Sequence, residues 1–115
     1  MEPLKNVTAR VRADIRAAAK AGTLPEHPAG ITFSVRMETY SQGSSVNVYI
    51  KGAPDEWTYF ETGDGTWGPR KVASEPVKAL ANKLHEIVES HRGDRRFFSA
   101  VYTEEGLVLA CHLPR

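Results

Sequence analysis

Ile31-Thr-Phe-Ser-Val-Arg-Met-Glu-Thr-Tyr40-Ser-Gln-Gly-Ser-Ser-Val-Asn-Val-Tyr-Ile-Lys51 alternates apolar and polar side chains on both sides of a Gly-Ser turn. Alternation of period two is the mark of a strand with one buried face, so the stretch predicts a two-stranded antiparallel unit. Ile31, Phe33, Val35 and Met37 would form its inner row against Val46, Val48 and Ile50. Arg36, Asn47, Tyr49 and Lys51 then point the other way, because successive strand side chains alternate. This pattern speaks to architecture and names no reaction.

Upstream, residues 3 to 21 predict a helix. Pro3 suits its first turn, Gly22 its C-terminal cap, and Leu4, Val7, Val11, Ile15 and Ala18 recur at spacings of three and four. Residues 22 to 30, with Pro25 and Pro28, cannot continue that helix and read as a loop. Downstream, Gly52-Ala-Pro-Asp breaks the chain, residues 56 to 62 predict a third strand, and a short return strand near Thr66 would be ended by Gly68-Pro69. A second helix follows over about 75 to 92, capped by Ser74, with Val77, Leu80, Ala81, Leu84, Ile87 and Val88 as its apolar face. His91, Arg92 and Gly93 supply the cations and the left-handed residue of a helix C-terminus. Arg96 to Tyr102 and Leu107 to Leu113 flank Thr103-Glu-Glu-Gly as a closing hairpin, apolar on both faces. The order α-β-β-β-α-β-β gives an α+β two-layer sandwich in one domain, residues 1 to 115, with both helices on one face of a mainly antiparallel sheet.

A chain of 115 residues buries roughly two-thirds of its unfolded surface, enough for a core without metal or disulfide. The single cysteine, Cys111, cannot form an internal bridge and suits a reducing compartment. No apolar run approaches the roughly 18 residues of a membrane span, and the N-terminus lacks the apolar core of a signal peptide. A soluble cytoplasmic protein, with no membrane partner, is the expectation. With a formal net charge of +1, any electrostatic argument rests on local asymmetry.

Candidate chemistry is sparse. His85-Glu-Ile-Val-Glu89 approaches the His-Glu-x-x-His zinc motif, but Glu89 stands where the second histidine belongs and His91 falls on another face. A solvated His/Glu helix pair is the reading, and no metal is expected. Cys111 and His112, adjacent in a strand, point to opposite faces and do not make a dyad. Gly63-Asp-Gly-Thr-Trp-Gly lacks the ending of a phosphate loop. Asp55, Glu56, Glu61 and Asp64 are spread over a breaker, a strand and a turn, as surface acids are. No catalytic residue and no cofactor follow from the residues.

Phe33-Ser-Val-Arg and Gly43-Ser-Ser-Val-Asn-Val, behind a basic N-terminal helix, resemble one of the large polyvalent protein-associated domain families of phages and mobile elements. The resemblance covers residues 10 to 50; beyond them the order of elements is similar but the family's Asp/Tyr segment is missing. It implies a mobile-element origin and an accessory or binding role, without catalytic residues to carry over.

Two surfaces are candidates for that role. Tyr49, Trp57, Tyr59 and Trp67 lie in or beside strands whose other face supplies the core, and would form a protein-binding patch on the sheet unless residues 52 to 73 fold over them. Lys5, Arg12, Arg16 and Lys20 form a basic stripe on the first helix, which Arg36, Tyr49 and Lys51 of the hairpin would extend into a nucleic-acid platform. A plain solvated helix face is the alternative to that stripe. The sequence thus leads to a non-enzymatic accessory protein that binds an unidentified protein through its sheet face, with weak nucleic-acid binding as the second reading.

Overall fold

The 31 to 51 segment is a long β-hairpin, as its alternation requires. In the computed structural model, which describes residues 3–41, 43–62, 70–93, 95–104 and 106–111, β1 (Thr32–Tyr40) and β2 (Gly43–Lys51) pair antiparallel. Phe33 faces Ile50, Val35 faces Val48 and Met37 faces Val46. Helix α1 (Leu4–Ala21) precedes it and ends at Gly22, which takes the left-handed conformation at φ 74° while Thr23 N–H closes onto the Ala18 carbonyl at 3.0 Å.

Between the hairpin and the second long helix the chain differs from expectation. Residues Asp55–Thr58 form a single helical turn, α2, and only Tyr59–Thr62 are strand, β3. The cause is local: the Pro54 carbonyl accepts from the N–H groups of Trp57 and Thr58 and from the Thr58 hydroxyl. Strand β3 does not join the main sheet but pairs with β4 (Arg70–Ala73) as a separate hairpin. The return strand expected near Thr66 lies outside the described residues.

Helix α3 (Glu75–Glu89) starts where Ser74 caps it, the serine hydroxyl accepting from Val77 N–H and donating to the Trp57 carbonyl at 2.6 Å. It stops three residues before the expected end, in a turn that closes at Gly93 with φ 56°. Strands β5 (Phe98–Thr103) and β6 (Gly106–Cys111) complete a sheet of order β1-β2-β5-β6. Both outer pairs are antiparallel and the central pair, β2 with β5, is parallel. A parallel neighbour needs a long crossover, which the segment containing α3 provides.

Both long helices cover one face of this sheet, giving the expected two-layer α+β arrangement. Val7, Val11 and Ile15 of α1 and Leu80, Ala81, Leu84 and Val88 of α3 pack on Val35, Val46, Val48, Ile50 and Val101 in one cluster, closed at one end by Phe97. Each fully buried aliphatic side chain here contributes about 1.5–3 kcal/mol of hydrophobic stabilisation. The helices are also joined to each other by His91 Nε2 and Asp14 Oδ2, 2.5 Å apart. Among the described residues no helix is long and apolar enough to cross a membrane.

Two members of the hairpin depart from the simple inner and outer rows. Met37 lies on the inner face yet is 40% exposed, on the edge strand of the sheet, while Val46 opposite it on β2 is fully buried. Asn47 lies on the outer face yet is only 3% exposed, on a central strand between Arg36 and Ala100, with its amide donating to the Ser45 hydroxyl at 3.1 Å.

Candidate functional site

No described element covers the outer face of the main sheet, and the strand registers lay out what it presents. One row across the strands reads Ser34, Tyr49, Tyr102, Leu107; the next Arg36, Asn47, Ala100; the third Glu38, Ser45, Phe98. Tyr40 closes the far end of β1, its hydroxyl 2.9 Å from Glu38 Oε2 and 2.8 Å from Ser45 Oγ. Tyr40, Phe98 and Leu107 are exposed by 51, 39 and 56%. All three stand on this face, so with Tyr49 and Tyr102 it carries five large side chains turned away from the core.

The two central tyrosines are stacked on one another. Their ring centroids are 5.1 Å apart at an interplanar angle of 14°, close to the 4.7–4.9 Å spacing between neighbouring strands. Rings that stack across a strand gap stand on edge, with their planes along the strands. The Arg36 guanidinium carbon lies 5.8 Å from the Tyr49 centroid on the side of β1. Tyr49 thus has Tyr102 on one face and Arg36 on the other, and shows its edge to solvent. Burial pushes its phenol above the ordinary value, the charges of Glu38 and Tyr102 add to that, and a hydrogen bond with Asn47 and the charge of Arg36 oppose it. A shallow depression of about 430 Å³ opens beside it, lined by Arg36, Tyr49, Lys51 and Glu104 among others.

Of the aromatic residues singled out from sequence, only Tyr49 is found on this face. Trp57 belongs to α2, half-buried against the core, and lines a separate depression with Glu26, His27, Pro28 and Pro76. Tyr59 lies in β3 of the small hairpin, its side chain outside the described set, and Trp67 lies outside the described residues. Phe98, Tyr102, Leu107 and Tyr40 were not picked out as site residues. The signal for them was present: once Val101 is assigned inward, the parity of the strand sends Phe98 and Tyr102 outward.

The basic set is divided by the sheet. Lys5, Arg12, Arg16 and Lys20 are exposed on α1, in the helix layer, whereas Arg36 and Lys51 belong to the opposite side. Arg12 is also engaged, donating from Nη2 to the Val35 carbonyl at 2.7 Å. On the outer face and its rim, Arg36 and Lys51 are matched by Glu38 and Glu104, the latter accepting from Gly52 N–H at 2.7 Å. His85 and Glu89 form the expected helix pair at 3.8 Å, and no group of three metal-ligating side chains occurs among the described residues. His112 lies outside the described residues.

Arg92 is the largest departure among charged residues. Expected as a cation in the last turn of the second helix, it lies past Glu89, the last residue of α3, and is 6% exposed. Its guanidinium pairs with Glu89, donates to the Phe97 carbonyl at 2.6 Å and lies 4.0 Å from the Phe97 ring centroid. It ties the end of α3 to the start of β5 and so sets where the outer face begins at Phe98. No family model, curated protein or solved structure matches this chain.

Proposed function

We propose that this chain is a non-enzymatic accessory protein of phage or mobile-element origin that binds a host or element-encoded protein through the open face of its main sheet. Five large side chains on that one face, Tyr40, Tyr49, Phe98, Tyr102 and Leu107, carry this reading. Aromatic and aliphatic groups gathered on one sheet face are what a protein interface buries, and tyrosines are frequent among the residues that dominate its energy. Ser45 and Asn47 give the patch a hydrogen-bonded polar floor. The mobile-element origin rests on the Phe33-Ser-Val-Arg and Gly43-Ser-Ser-Val-Asn-Val resemblance, and a reducing cytoplasmic setting suits the single cysteine.

A nucleic-acid role is favoured by one observation, the meeting of Arg36, Tyr49 and Lys51 around the same depression. Ring orientation weighs against it. Base stacking requires an open aromatic face, and Tyr49 has one face on Tyr102 and the other toward Arg36. Charge weighs against it too, since nearby carboxylates offset the two cations.

The immobilised chain, challenged with host lysate and with labelled single-stranded oligonucleotides over a salt series, separates these readings. A protein partner is expected to be retained with little dependence on ionic strength and lost from a Phe98→Asp/Leu107→Asp variant. Undiminished capture by that variant would refute the sheet-face reading. Oligonucleotide retention that falls steeply with salt would replace it with the second reading.

A further inference from the structure

The open edge of β1 carries five consecutive exposed residues, Arg36–Tyr40. Near its middle Arg12 donates to one acceptor of that edge, the Val35 carbonyl, which it reaches from outside the sheet. That bond identifies the odd-numbered residues as those whose N–H and C=O groups point away from β2. The turn agrees: Tyr40 faces Gly43 across a two-residue connection, which directs the even-numbered residues toward β2. Met37 and Thr39 therefore present two donors and two acceptors to the open edge, and no described side chain reaches them. An unprotected row of this kind is a template for another strand.

We propose that the strand it receives is β1 of a second copy of this chain, paired antiparallel about a two-fold axis through Met37. In that register Met37 hydrogen-bonds with the partner's Met37, and Val35 with the partner's Thr39; the Val35 carbonyl keeps a lone pair for Arg12. Arg36 stands opposite the partner's Glu38, and Glu38 opposite the partner's Arg36. These are non-hydrogen-bonded positions, where cross-strand side chains approach most closely. The two registers nearest to it that preserve hydrogen-bond parity set Arg36 against the partner's Arg36 or Glu38 against the partner's Glu38. Charge complementarity thus selects one alignment from its neighbours.

The same alignment accounts for Met37, a large apolar side chain left 40% exposed on the edge strand, by placing it against its twin. The two-fold runs perpendicular to the sheet, so both helix layers lie on one side and both outer faces join on the other. The result is a continuous eight-stranded sheet. This dimer goes beyond the sheet-face reading and does not depend on it.

Analytical ultracentrifugation of the full chain at low salt, from micromolar to millimolar concentration, tests the proposal. The weight-average mass is expected to rise from that of one chain toward twice that value. Arg36→Glu sets like charges opposite each other at two symmetric positions and is expected to weaken association about tenfold or more. Glu38→Arg does the same, and serves if Arg36→Glu fails to fold. The Arg36→Glu/Glu38→Arg double variant exchanges the charges and is expected to restore dimerisation. A chain that stays monomeric throughout, or a dimer indifferent to either single reversal, would overturn the proposal, as would a folded double variant that stays as weak as the singles. Phe98 and Leu107 lie on β5 and β6, away from this edge, so their variants leave the dimer intact and the two proposals fail separately.

Discussion

Arg92→Ala should be among the most damaging single substitutions in this protein, although the sequence marks that residue only as a cation at a helix C-terminus. The guanidinium is 6% exposed and supplies the Glu89 carboxylate and the Phe97 carbonyl at once. Truncation strands both acceptors and opens a gap beside the Phe97 ring. Breaking a buried ion pair by removing one partner costs about 3–5 kcal/mol. Glu89 retains 31% side-chain exposure, so water partly rehydrates it and the lower end, about 3 kcal/mol, is expected. Set against a typical total of about 5–15 kcal/mol, that reduces the folded-to-unfolded ratio roughly a hundredfold. Arg92→Lys keeps the charge but cannot fork between two acceptors, and should cost about 1.5–2 kcal/mol. Glu89→Leu/Arg92→Met removes both charges together and should cost less than Arg92→Ala alone, because no unpaired charge remains and only the Phe97 carbonyl loses its donor. Urea unfolding followed by circular dichroism, with an unchanged slope, gives all three values. An Arg92→Ala loss below about 1 kcal/mol, or a double variant as unstable as the single, would refute the view of Arg92 as a buried junction.

Gly52 and Gly22 form a matched pair of positive-φ glycines at +79° and +74°, but a Cβ at Gly52 would sit 2.8 Å from the Gly30 carbonyl oxygen while Gly22 faces open space. Gly52→Ala should therefore lower the melting temperature well beyond Gly22→Ala, which carries only the backbone cost of about 1 kcal/mol; equal shifts would remove the clash from the account. Ser99 is buried on the inner face with its hydroxyl unpartnered among the described residues, so Ser99→Ala should be neutral or stabilise by up to about 1 kcal/mol in denaturant unfolding, and a loss of that size would reveal a missed partner. The Tyr49 phenol is raised on folding, chiefly by burial. Above the ordinary value of 10.0 the native chain then holds its proton more tightly than the unfolded one, and stability declines as pH rises through the folded pKa. Below that value the contribution is fully present. Tyr49→Phe should flatten this alkaline limb of a melting-temperature profile, and an identical limb in the variant would assign it to other groups.

What was legible in the sequence is what local periodicity encodes. Alternation over 31 to 51 specifies the β1–β2 register, since sliding β2 by one residue would expose Val46, Val48 and Ile50 together. Spacings of three and four specify α1 and α3, and Ser74 and Gly22 mark two of their four ends, while Gly93 closes the turn that follows α3. The parallel pairing of β2 with β5 was not legible, because alternation says which face of a strand is buried and nothing about its neighbour. The helical turn at 55–58 was hidden for another reason. Trp57-Thr-Tyr-Phe has the composition of a strand, and the deciding interaction is the Pro54 carbonyl gathering donors from Trp57 and Thr58. The burial of Arg92 was not legible because it depends on Phe97, which packs against it only after the turn at Gly93 has reversed the chain.

The candidate site shows the same division between what a strand says about itself and what strands say about one another. Tyr49 could be assigned to the outer face from its own strand, but its setting depends on two neighbouring strands at once. Tyr102 reaches it only because β5 lies parallel in the register Tyr49 to Tyr102, and Arg36 only because β1 lies antiparallel on the other side. Those two pairings turn a tyrosine that would otherwise offer a flat face into one that shows its edge, and edge and hydroxyl are features a protein surface can meet while a base seeks the face. The choice between the two functional readings therefore rests on tertiary register and lies beyond residue composition. It also explains why counting aromatics along the chain pointed to Trp57, which the Pro54 turn carries into the core at another depression, and passed over Phe98 and Leu107, whose exposure emerges only when four strands are laid side by side.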